Sequence, residues 1–241
     1  MSETDASDRG LQIGFVLFPN LLNLDFAGPW DVLANLPGAT LHVVAKDLAP
    51  IVSSSGLSIL PTITFANCPQ LDLICVPGGA GHLDAMEDEA TLDFLRQQEP
   101  GCRFLTSVCT GALVLAAAGL LEGYEATTHW NSHDRLAAYG AIPKQGRVVV
   151  DRNRITGGGV TAGIDFALQV IAELKGQDAA EFTQLVLEYD PQPTMTSGHP
   201  RTARPEITAQ VEGLWGRTAE AVRVANAHMQ RRVQTRPAVP A

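Results

Sequence analysis

Phe104-Leu-Thr-Ser-Val-Cys-Thr-Gly-Ala-Leu-Val-Leu-Ala-Ala-Ala-Gly119 changes character at its sixth residue. Phe104–Val108 is apolar and β-prone, Cys109-Thr110-Gly111 is a turn, and a small-residue, Ala/Leu-rich helical run follows at once. A strand that turns sharply into a helix exposes the turn residue above the sheet, as a nucleophile elbow does. A thiol there sits at a helix N-terminus, which favours the thiolate. A free Cys in an apolar run is most often plain core, but the turn placement favours a nucleophile at Cys109. Gly111 keeps the turn uncrowded.

Working outward, apolar runs alternate with helical ones. Gln12–Phe18, Thr40–Ala45 and Leu71–Val76 read as strands, and Ile51–Ser53 with Ser58–Leu60 as a hairpin around Ser55-Gly56. Val148–Val150 and Ile155–Thr156 flank the turn Asp151–Arg154. Phe26–Leu36, Asp88–Gln98, Asn131–Tyr139, Thr161–Leu174 and Asp178–Leu187 read as helices. The expected fold is α/β, a flavodoxin-like or Rossmann-like, mostly parallel sheet sandwiched by helices. Chemistry in such sheets sits at the carboxyl ends of the strands. The expected organisation is a disordered lead-in over 1–10, an α/β domain over 11–189 and a C-terminal helical extension over 190–241. In that extension, an irregular connection leads to a helix over about 205–233. Its stripe of Ile207, Val211, Leu214, Trp215, Val222, Ala225 and Met229 is expected to pack on the domain or on a second subunit.

The 241 residues are 45% hydrophobic and 18% charged, with a formal net charge of -9. That acidity argues against nucleic acid or an anionic membrane as the partner. The polar, acidic start is unlike a signal peptide. The charge-free run Phe104–Leu121 is interrupted by Thr106, Ser107, Thr110 and glycines, and reads as strand plus buried helix rather than a membrane span. A cytoplasmic protein with free thiols is expected. Cys75 reads as core, Cys102 as structural and Cys68 as a turn residue.

Three strand ends are expected to converge. They bring Asp25 in Asn23-Leu-Asp-Phe-Ala-Gly-Pro29, Gly78-Gly79 after a buried strand, and Cys109-Thr110. A thiolate, a carboxyl group and backbone N–H donors are what addition to a small electrophile needs. Alone, Asp25 at a helix start is as readily an N-cap, and Pro-Gly-Gly marks many plain turns. His129 and His133 stand one helical turn apart, but no third ligand is evident, so no metal is expected. Gly157-Gly-Gly159 lacks the Lys of a phosphate loop, and reads as a turn letting the next helix press on the sheet.

Val76-Pro-Gly-Gly79, Ser107-Val-Cys-Thr-Gly111, Ala126-Thr-Thr-His-Trp130 and Thr156-Gly-Gly-Gly-Val-Thr-Ala-Gly-Ile-Asp-Phe166 resemble, in order, the ThiJ/PfpI superfamily of the class I glutamine-amidotransferase-like fold. The resemblance runs from about Leu11 to Tyr189. Within it, Leu24-Asp-Phe-Ala-Gly-Pro29 and Leu187-Glu-Tyr-Asp-Pro-Gln-Pro193 look like the isonitrile (isocyanide) hydratases. The resemblance implies a cofactor-independent homodimer that hydrates a small isonitrile to an N-substituted formamide. It implies Cys109 as nucleophile, Asp25 as acid/base, Thr110 as a positioning residue, and the backbone at Gly78, Gly79 and Thr110 as an anion site. His82 and Trp30 depart from the family's pattern. Relatives with glyoxalase-like, deglycase-like, peptidase or oxidation-sensing roles stay open, although Thr110 after the Cys disfavours the peptidase form. The sensing domain of an AraC-type regulator is a poorer fit.

Overall fold

The computed structural model describes residues 10–214. In chain order its first half carries β1 (Leu11–Val16), α1 (Asn23–Leu33), β2 (Ala39–Ala45), β3 (Ile51–Val52), β4 (Ser58–Ile59), β5 (Ile63–Thr64), β6 (Leu73–Val76), α2 (His82–Glu87) and α3 (Glu89–Gln98). Then come β7 (Phe104–Val108), α4 (Gly111–Ala117), β8 (Glu125–Ala126), β9 (Ile142–Pro143), β10 (Val148–Asp151), β11 (Arg154–Gly157), α5 (Ala162–Lys175) and α6 (Gln177–Val186).

Seven strands form the main sheet in the order β10-β11-β7-β6-β1-β2-β5. All its pairings are parallel except β10 with β11, which share a tight turn. The sheet is thus the mostly parallel one that the alternating runs imply. All four residues of β6 are buried, because helices cover both faces of a central parallel strand. β3 and β4 pair antiparallel as the expected hairpin. The short elements β5, α2, β8 and β9 carry too little periodicity to be read from sequence, and Trp130–Tyr139 is a 3-10 segment rather than an α-helix. Among the described residues no helix is long and apolar enough to cross a membrane.

Two features bring the helices close to the sheet. A Cβ on Gly157 would stand 3.2 Å from the Phe166 Cβ, and one on Gly163 would stand 3.1 Å from Pro29 Cδ, so α1 and α5 pack through small residues. At the far side of the elbow every residue of α4 is buried.

The chain divides into two compact units between Glu188 and Tyr189. The second begins as irregular chain, tightened near His199 by backbone hydrogen bonds from Thr202 and Ala203 to the His199 carbonyl, and is helical over 205–214. Expectations for residues 1–9, and for the helix from Trp215 onward, lie outside the described residues.

Gly111 and Gly123 differ in why glycine is needed. A Cβ on Gly111 would lie 2.0 Å from the Val76 carbonyl oxygen, whereas Gly123 has φ +71 and open space around it. Gly111→Ala is expected to lose at least ~2 kcal/mol of stability by overpacking, and Gly123→Ala about 1 kcal/mol from the left-handed backbone alone. Urea denaturation midpoints at constant slope check both.

Candidate active site

Cys109 directly follows β7 with φ 55, a left-handed conformation for a residue with a side chain. That conformation costs about 1–2 kcal/mol, so surrounding contacts must hold it. The Cys109 N–H donates to the carbonyls of Gly157 (3.1 Å) and Gly158 (2.8 Å), and the Thr128 hydroxyl donates to the Cys109 carbonyl at 2.7 Å. Gly157 pairs with Val108 across β11 and β7, which lays the glycine loop alongside the elbow. This loop therefore does more than let a helix approach. The backbone N–H groups of Val160 and Thr110 reach the Cys109 sulfur. Thr128 and Val160 lie in two of the motifs that mark the family resemblance, yet nothing in their spacing indicates that they face Cys109.

Asp25 lies in the first turn of α1, but it is not the N-cap. Leu22 takes that position, without any side-chain cap. The Asp25 side chain instead points into the protein and is fully buried. Its Oδ2 accepts a hydrogen bond from the Gly78 N–H at 2.9 Å, and its carboxyl group lies beside the Cys109 thiol, close enough for each to shift the other's proton affinity. The opposite side of the Gly78 peptide is held too, since its carbonyl accepts from the Leu22 N–H at 2.8 Å. A Cβ on Gly78 would stand 2.5 Å from the Thr110 nitrogen, 2.7 Å from Thr110 Oγ1 and 2.8 Å from Asp25 Oδ2. The expected convergence of Asp25, Gly78-Gly79 and Cys109-Thr110 is therefore present in the fold.

The roles inside it shift. The N–H groups of Gly78 and Gly79 are engaged within the protein, by Asp25 Oδ2 and, at 3.1 Å, by Thr110 Oγ1. They hold Asp25 and Thr110 in place rather than standing open as anion donors. Thr110 thus joins the glycine turn to the elbow.

Burial dominates the electrostatics. It raises the Asp25 pKa to about 7, against the opposing hydrogen bonds from Gly78 and Cys109. Burial, and then the charge of Asp25, push the Cys109 thiol well above its ordinary range, while the N–H groups of Val160 and Thr110 pull the other way. The helix N-terminus alone would lower that pKa, so desolvation overrides the simple expectation. Two anions cannot share this site cheaply, and the groups titrate as a pair.

The histidines divide by partner. His129 Nδ1 lies 2.7 Å from Asn131 Oδ1, and His133 Nε2 lies 3.0 Å from the Lys144 carbonyl. Each is therefore tied locally, and among the described residues no three His, Cys, Asp or Glu side chains are grouped to hold a metal. Trp30 packs against Phe15 and Phe26, with ring centroids 5.3 and 5.2 Å away. His82 is buried and bonded to the glycine turn. Cys75 is core, Cys102 is buried, and Cys68 is half-buried beside the 3-10 turn Phe65–Asn67.

This arrangement occurs on a recognisable sequence. The profile of the DJ-1/PfpI family matches residues 12–173. Isonitrile hydratase from Pseudomonas putida is 60% identical over 193 residues, covering 80% of this chain and 85% of that protein. The HTH-type transcriptional regulator GbdR of Pseudomonas aeruginosa is 33% identical over 69% of this chain, which spans 47% of the regulator. Among solved structures, a ThiJ/PfpI family protein from Pseudomonas syringae superposes with a TM-score of 0.87 at 44% identity, over 91% of this chain and 90% of that one. The chain belongs to the DJ-1/PfpI family.

Proposed function

We propose that this protein is an isonitrile hydratase, a lyase that converts R–N≡C and water to R–NH–CHO. The observation that carries the reading is the buried Asp25 carboxyl set beside the Cys109 thiol, close enough for each to shift the other's proton affinity. The 60% identity to the Pseudomonas putida isonitrile hydratase supports the substrate class.

The reactive form holds one negative charge and one proton between Cys109 and Asp25. The sulfur is faced by two backbone N–H groups, from Val160 and Thr110. The carboxyl has one, from Gly78 at Oδ2, and among the described residues its Oδ1 has no hydrogen-bond partner. In the reactive form the charge is on sulfur and the proton on Asp25, a microstate that the two N–H donors favour and that burial of the thiol opposes. The thiolate adds to the terminal carbon of the isonitrile, and Asp25 delivers its proton to that same carbon, giving R–N=CH–S–Cys109. Water adds to this carbon while the Asp25 carboxylate takes one of its protons and passes it to nitrogen. The tetrahedral adduct collapses, the C–S bond breaks, and the hydroxyl proton returns to Asp25. Thiolate and carboxylic acid are regenerated, and no cofactor enters these steps.

Formamide production from cyclohexyl isocyanide, followed beside methylglyoxal consumption, tests the reading. Hydration without methylglyoxal loss is expected, and the reverse result would replace it with a glyoxalase-like activity. Cys109→Ala should abolish hydration, and Cys109→Ser should be nearly dead because a hydroxyl is a far weaker nucleophile at neutral pH. Asp25→Asn should fold normally and lose at least ~100-fold in rate. Wild-type rates in either Cys109→Ala or Asp25→Asn would remove that residue from the chemistry.

The pH dependence follows from the pair. Burial raises Asp25 to about 7, and the coupled pair gives up its first proton there, so below that pH the pair is neutral and lacks a nucleophile. Activity should rise with pH through a midpoint near 7 and fall only when the second proton leaves. A flat profile from pH 5 to 9 would contradict a shared proton.

We also propose a cytoplasmic homodimer. Phe182, Leu185 and Val186 lie exposed on α6, and association would remove such apolar surface from water. Light scattering should give twice the monomer mass, and a fully active monomer at every concentration would overturn the dimer.

A further inference from the structure

His82 opens α2, is 7% exposed, and makes no contact required by the proton transfers above. Its ring touches two groups. Nδ1 lies 2.8 Å from the Gly79 carbonyl, and Nε2 lies 3.2 Å from Arg135 Nη1. A guanidinium nitrogen can only donate, so Nε2 must accept. The proton then sits on Nδ1, which donates to the Gly79 oxygen. One tautomer is thereby fixed, and a second ring proton would face the Arg135 charge. The His82 backbone N–H also donates to the Gly79 carbonyl, at 3.1 Å, so this one oxygen is held twice by one residue.

The held residue is central to the site. The Gly79 N–H donates to Thr110 Oγ1, and the adjoining Gly78 N–H donates to Asp25 Oδ2. Gly79 has φ +116, and a Cβ there would lie 2.3 Å from the Leu22 nitrogen, so the turn can shift only by moving the chain that leads into α1. Arg135 belongs to the 3-10 segment Trp130–Tyr139, which follows Thr128, the residue bonded to the Cys109 carbonyl. The segment is thus tied to the elbow at one end and to the glycine turn, through Arg135 and His82, further along.

We propose that His82, oriented by Arg135, is a positioning residue that sets the Gly78-Gly79 turn and through it the alignment of Asp25 and Thr110 with Cys109. The inference rests on the reading that Cys109 and Asp25 perform the chemistry. His82 itself touches no reacting atom and exchanges no proton with substrate.

Two polar substitutions separate its bonds. In His82→Asn the side-chain amide nitrogen can take the place of Nδ1 and still donate to Gly79. In His82→Gln the longer amide reaches toward Arg135 and gives up the Gly79 bond. The readouts are kcat and KM for cyclohexyl isocyanide and the rate at which iodoacetamide alkylates Cys109, all taken below the unfolding temperature. His82→Asn is expected to keep kcat within about twofold, and His82→Gln to lose kcat roughly 10-fold with KM little changed, as misplacement of catalytic groups does. Alkylation should change in His82→Gln and not in His82→Asn. Equal kcat and equal alkylation in both variants and the wild type would overturn the proposal, as would a loss seen only in thermal stability. If the wild type does not hydrate isonitriles, the functional reading fails, while the alkylation rates of the two variants still decide whether His82 positions the site.

Discussion

The Gly78 peptide is the point on which the site depends. Its N–H binds the Asp25 carboxyl, and its carbonyl binds the N–H of Leu22, at the N-cap of α1. The place where a side chain would begin lies within 3 Å of both Asp25 and Thr110. Three chain segments far apart in sequence meet there only because β1, β6 and β7 are neighbours in one parallel sheet. Their carboxyl ends fall on the same edge, and each releases a loop or helix toward the others. Glycine lets the three approach this closely. Any Cβ at position 78 would force Asp25 away from Cys109 or break the elbow.

The same closeness sets the electrostatics. A carboxyl group and a thiol buried together cannot both ionise, because each is desolvated and each repels the other's charge. The fold compensates with fixed backbone dipoles, two toward sulfur and one toward the carboxyl. Such preorganised donors cost no rearrangement when charge moves during a reaction. The strained conformation of Cys109 is sustained by the same means, with Gly157, Gly158 and Thr128 bonding its peptide groups on both sides. Strain, burial and donor placement are therefore one arrangement.

Much of this was legible in the chain. The elbow was visible because a β-prone run stops at Cys-Thr-Gly and a small-residue helix begins, and β7 and α4 fall there. The parallel sheet was visible from fully apolar runs such as Leu73–Val76. Asp25 was visible only as one of two readings, since a first-turn Asp looks the same whether it caps the helix or points inward. What decides is the burial of its side chain, a tertiary property. The partners of the Gly78 and Gly79 N–H groups are hidden for a similar reason, because sequence marks a turn without saying which group takes each N–H. Short elements such as α2 and β8 were missed because two to six residues carry no usable period. Thr128, Val160 and Arg135 act through contacts between segments, which no local pattern encodes.

The central claim is that Cys109 and Asp25 share one proton, with the charge on sulfur. The most direct measurement is the ultraviolet thiolate absorbance of the wild type, titrated with pH and corrected by the same titration of Cys109→Ala. The account predicts a thiolate signal from Cys109 that grows through about pH 7, where the buried pair gives up its first proton. Absence of any Cys109 thiolate until strongly alkaline pH would place the charge on Asp25 and contradict it.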